Sequence, residues 1–76
     1  MRFAETAQFD TTIVKNRCAE LGIDFTEFEE LCKKLEGKVG HYNRWMDLVH
    51  DKHLYDFKTD DGELIPVPVD LVKQLH

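Results

Sequence analysis

The chain of 76 residues contains no serine, which removes every mechanism built on a serine nucleophile. Cysteine is almost as scarce. Cys18 and Cys32 are the only two, so at most one disulfide can form. The opening MRFAETAQFD carries no apolar signal-peptide core, and the expectation is two reduced thiols in a cytoplasmic protein. Both thiols fall on apolar faces of predicted helices, where a buried structural cysteine is expected over a disulfide or a reactive thiol. No hydrophobic run approaches the roughly 18 residues that span a membrane. No internal repeat, low-complexity stretch or Ser/Gly linker is present. Positive charge is in deficit: 10 Lys and Arg stand against 15 Asp and Glu, for a net charge of −5. That balance argues against indiscriminate binding to nucleic acid or to anionic membrane.

What remains is the composition of a globular protein, 42% hydrophobic and 33% charged. A chain this short buries only about 60% of the surface its unfolded form exposes. One small domain is expected over 1–76, with partner binding able to supply part of its stability.

Along the chain, Phe3, Ala7 and Phe9 share one face at a period of two, so residues 1–9 read as a short strand or an arm laid over the core. Three helices are predicted over 10–53. The first is capped by Asp10, carries an apolar stripe of Ile13, Val14, Cys18 and Leu21, and ends at Gly22. The second has Asp24 as cap with Glu27 three positions on, and Ile23 and Phe28 in staple positions. Its apolar face is Phe25, Phe28, Leu31, Cys32 and Leu35, and Glu29–Lys33 and Glu30–Lys34 are favourable pairs spaced by four. The third runs from Val39 or Gly40 to His53, with Tyr42, Trp45, Met46 and Val49 as a core stripe and Trp45 as its largest anchor.

The period then changes. Two alternating runs flank Asp61-Gly62, which predicts a hairpin over 54–69. Pro66 and Pro68 lack N–H groups on the same edge, so the second run is an outer strand. Asp70 can cap a short final helix over 70–76. The fold class expected is mainly α with a small β-hairpin: a three-helix core of helix-turn-helix type, a C-terminal hairpin and a short last helix.

Three constellations could carry chemistry. Asp47, His50 and His53 lie on one helical ridge and are candidate metal ligands, but a structural zinc site wants four ligands with closely paired cysteines. A polar helix end is the simpler reading, so no metal or other cofactor is implied. Nothing sets Cys18 or Cys32 beside a histidine base. GKVG at 37–40 lacks the earlier glycine of a phosphate loop. The chain is therefore read as a non-enzyme. The third constellation is a charge asymmetry. Between Lys33 and Arg44 four basic residues (Lys33, Lys34, Lys38 and Arg44) face one acid, Glu36, with His41 and Asn43 interleaved. These six, Lys33, Lys34, Lys38, His41, Asn43 and Arg44, are the candidate binding residues for a protein or DNA partner.

The stretch EELCKKLEGKVGHYNRWMD, residues 29–47, resembles the helix-turn-helix of phage Cro/C1-type repressors. Leu31, Cys32 and Leu35 match that family's Leu, small residue and Leu, and Arg44-Trp45 its frequent Arg-Trp. Glu36 stands at its turn-glycine position. The resemblance implies a recognition helix beginning near Lys38, with Lys38, Val39, His41, Asn43 and Arg44 facing DNA. Two functions follow. One is a small acidic regulator or inhibitor, of phage or bacterial type, acting by binding another protein. The other is a sequence-specific DNA-binding regulator, working as a homodimer because a single helix contacts too few bases.

Overall fold

Ala7 and Phe9 alternate with Thr6 and Gln8, and this period of two sets the first strand, β1 (Thr6–Phe9). The computed structural model describes residues 3–75. Asp10 turns the chain into a helix, α1 (Thr11–Leu21), by accepting the Thr12 N–H at 2.8 Å. Beyond Gly22, Asp24 accepts the Thr26 N–H at 3.0 Å and starts a 3-10 turn, Phe25–Phe28, that continues into α2 (Glu29–Leu35). The rest of the chain is β2 (Val39–Tyr42), α3 (Arg44–His50), β3 (Leu54–Lys58), β4 (Leu64–Pro68), a 3-10 turn Val69–Leu71, and β5 (Val72–Leu75).

The five strands form one sheet in the order β4-β3-β2-β1-β5, and every neighbouring pair is antiparallel. This corrects the mainly α expectation. The protein is a small α+β fold whose β part is a full five-stranded sheet, in place of the expected three-helix core with a small hairpin. Residues 54–69 are β3 and β4, joined through a turn in which Gly62 takes φ 88° and its N–H donates to the Thr59 carbonyl at 3.0 Å. They are two strands of the larger sheet rather than a separate hairpin. β4, with Pro66 and Pro68, lies at one border of that sheet.

The expected third helix divides. Val39-Gly40-His41-Tyr42 is a strand between β1 and β3, and only Arg44–His50 is helical. A recognition helix beginning at Lys38 is therefore not present. The glycine and the β-branched and aromatic residues weaken a helix here, while β1 pairs with Val39 to His41 and β3 with His41 and Tyr42, giving the segment a ladder on each side. In place of the final helix expected over 70–76, the 3-10 turn ends at Leu71 and β5 runs from Val72 to Leu75, with Phe9 opposite Val72 and Thr6 opposite Leu75; His76 lies outside the described residues. So short a helix would be marginal by itself, whereas a strand gains a ladder along β1.

The core lies between one face of the sheet and the layer formed by α1 and α2. Ala7, Phe9, Tyr55, Phe57, Val67 and Val72 come from the strands, and Val14, Cys18, Cys32 and Leu35 from the helices. Phe9 meets Phe57 edge to face, with ring centroids 5.9 Å apart. The Phe57 ring lies over Gly40, where a Cβ would come within 2.9 Å of it. Tyr55 is fully buried, and its Oη donates to the Ala4 carbonyl at 2.8 Å. Cys18 and Cys32 are free thiols within this core, and burial pushes the Cys32 thiol above its ordinary pKa. On the opposite face of the sheet Val39, His41, Leu64, Pro66 and Lys73 are exposed.

Candidate functional site

α3 has seven residues, too few to persist by propensity alone. Polar contacts at its start and along its inner side hold it. At its start, Asn43 Oδ1 accepts the N–H groups of Trp45 and Met46, each at 3.1 Å, while Nδ2 donates to Asp56 on β3. One amide side chain thus caps the helix and fastens it to the sheet. On its inner side, Tyr42 Oη donates to Asp47 Oδ2 at 2.8 Å and lies 2.6 Å from His53 Nδ1, which is itself 3.1 Å from Asp47 Oδ2. With the tyrosine hydrogen committed to Asp47, the histidine tautomer protonated at Nδ1 satisfies all three groups. Burial, then the Asp47 hydrogen bond, raises the Tyr42 pKa, so the phenol keeps its proton at neutral pH. Phe3 closes the cluster, its ring centroid 3.8 Å from that of His53.

Replacing Asn43 with Ala is expected to lower stability by about 1 kcal/mol through the lost cap. In a domain of this size that moves the thermal midpoint down by roughly 4–8 °C. A calorimetric melt checks the shift, and hydrogen exchange should show it concentrated in the α3 amides.

Because polar groups hold α3, its apolar residues are free to face outward. Trp45 is 80% exposed, Leu48 76% and Val49 75%. Spaced by three and four, they form a single ridge. This corrects the core stripe expected from the sequence: Tyr42 and Met46 are half-buried, while Trp45 and Val49 face solvent. Three large apolar side chains on one turn of a fixed helix form a contiguous apolar surface of the kind that marks an interaction site.

The six candidate binding residues do not gather on one helix. Lys33 and Lys34 are exposed in the last turn of α2, in the helical layer. Lys38 precedes β2, and its Nζ pairs with Asp60 at 2.7 Å. The adjoining Asp61 carboxyl is held below its usual range, first by the Thr59 side chain and with a smaller contribution from Lys34. The acidic β3–β4 turn thus pairs with Lys38. His41, Asn43 and Arg44 do come together. With Glu5, Tyr42, Trp45 and Asp56 they border an open groove of about 480 Å³ at the foot of α3. Of the three metal candidates, Asp47 and His53 meet across Tyr42 while His50 stands exposed. Among the described residues no group of three His, Cys, Asp or Glu side chains is placed to hold a metal ion. None of the helices among those residues is long and apolar enough to cross a membrane.

Sequence reasoning missed the ridge of Trp45, Leu48 and Val49 as a surface, and it missed Glu5 and Asp56 as neighbours of the basic residues. A signal for the first was present. Asn43 is a strong N-cap residue, and it separates a strand-like VGHY from a helix-like RWMDLVH. A helix begun at Arg44 no longer carries Tyr42 in its stripe. The pairing of His41 with Asp56 across β2 and β3 has no short-range trace. Comparison of this chain with family models, with curated proteins and with solved structures finds no match.

Proposed function

We propose that this is a non-catalytic, cytoplasmic protein that regulates or inhibits another protein by docking its α3 ridge into an apolar groove of that partner. The observation carrying this reading is the exposure of Trp45, Leu48 and Val49 on a helix whose position polar contacts have already fixed. Burying side chains of this kind is worth about 1.5–3 kcal/mol each, and here that free energy remains available for association. Anchors at i, i+3 and i+4 are the pattern of a helix laid into a groove, and an aromatic anchor such as Trp45 suits the centre of an interface. Little ordering entropy is lost on binding when the helix is already in place. The net charge of −5 favours a partner whose groove has a basic rim. No observation favours the DNA-reading alternative, which needs Lys33, Lys34 and Lys38 beside Arg44 on one surface.

The test is affinity capture from the source cells with the wild-type chain and with Leu48→Asp. An exposed position tolerates such a change within about 0.5 kcal/mol, so the thermal midpoint should stay in place. A specific complex should be recovered with the wild type and lost, by about ten-fold or more, with the variant. Equal recovery with both chains would refute the reading.

A further inference from the structure

The groove at the foot of α3 has a chemistry distinct from that of the ridge, and it indicates what a partner places beside it. We propose that this groove receives an arginine side chain of the protein partner, with the guanidinium stacked on the Trp45 indole and paired with the carboxylates of Asp56 and Glu5. The inference rests on the docking reading above and names one element of the partner's chemistry.

Three observations carry it. Trp45 borders the groove with its ring largely in solvent, and an open indole face attracts a cation more strongly than any other aromatic ring does. Asp56 and Glu5 border the same groove. Asp56 sits on β3 directly opposite His41, and it is steadied by Asn43 Nδ2 on Oδ2. A carboxylate held in this way is pre-organised for a guanidinium, which is planar, donates along two parallel N–H bonds and stacks on an aromatic ring. Charge agrees: two carboxylates face one permanent cation, Arg44, within a chain of net charge −5. A lysine ammonium could take the charge but neither the stacking nor the bidentate contact, so arginine is the residue this shape selects.

Trp45 is the chain's single tryptophan, so its fluorescence reports the groove directly. The probes are acetylated tetra-arginine, tetra-lysine, tetra-glutamate and tetra-citrulline, the last being the uncharged isostere of arginine. Saturable binding is expected for tetra-arginine, with tetra-lysine and tetra-citrulline weaker by about five-fold or more. Asp56→Asn should weaken the arginine peptide by about five-fold. Glu5→Gln, at an exposed position, gives the same comparison should the first variant fail to fold. Equal binding of tetra-citrulline, preferential binding of tetra-glutamate, or undiminished affinity in both carboxylate variants would each overturn the proposal. Leu48→Asp separates the two readings. If the groove assignment alone fails, capture of a partner still depends on Leu48 while no arginine peptide binds. If the ridge reading alone fails, the arginine peptide still binds through Asp56 while Leu48→Asp recovers the same proteins as the wild type.

Discussion

Gly40→Ala is expected to destabilise the protein by about 3 kcal/mol, at the upper end of what a single added methyl costs in a packed interior. A Cβ at this position would lie 2.5 Å from the Asp56 carbonyl oxygen and 2.9 Å from two carbons of the Phe57 ring. The ring could shift. The carbonyl cannot shift as readily, because it belongs to the backbone of β3, which is paired on both sides. A domain of this size has only about 3–5 kcal/mol of net stability to lose, so the variant should stand close to its unfolding midpoint at room temperature. Urea titration followed by circular dichroism gives the answer, and a midpoint equal to that of the wild type would contradict the packing described.

Phe57→Ala acts on the same contact from the other side and should cost about 3–5 kcal/mol, enough to leave the chain largely unfolded. Phe57 is fully buried, packs edge to face on Phe9 and covers the surface that Gly40 leaves open. Its removal opens a cavity that small neighbours such as Ala7 cannot fill. The two sites can be tested together in a double-mutant cycle. Phe57→Leu removes the ring that a methyl at 40 would strike, so the double variant Gly40→Ala/Phe57→Leu should be less destabilised than the two single changes added, by about 1 kcal/mol. Rescue should be partial, because the contact with the Asp56 carbonyl is independent of the side chain at 57. Strict additivity would mean that the backbone contact alone sets the cost of Gly40→Ala.

The parts of the fold that were legible in the sequence are those written in local chemistry. Asp10 and Gly22 bracket α1, Asp24 begins the segment that leads into α2, and Asp61-Gly62 turns the chain between β3 and β4. Each depends on a side chain bonding its own backbone or on a glycine at positive φ, and each is visible within a few residues. The illegible parts depend on distant neighbours. Val39–Tyr42 forms a strand because β1 and β3 lie on either side of it, and Val72–Leu75 because β1 offers an edge more than 60 residues earlier in the chain. Local pattern alone therefore undercounts the strands and reads two of them, β2 and β5, as helix. The exposure of the α3 ridge is illegible for another reason. An apolar stripe at helical spacing records that a surface avoids water. It does not record whether the cover comes from the same chain. The stripe alone therefore points Trp45 and Val49 to the interior, whereas the fold leaves them exposed. Asn43 and Arg44 border one groove, but Asp56, which accepts from Asn43, is placed beside them only by the pairing of β2 with β3.

The anchoring of α3 has a consequence for how such a protein can change. Asn43, Tyr42, Asp47 and His53 fix the helix through its polar side, and nothing in the interior depends on the residues at 45, 48 and 49. Substitutions at those three exposed positions can alter that outer surface without trading away foldability, so under the docking reading proposed above recognition and architecture are separately adjustable in a chain of only 76 residues.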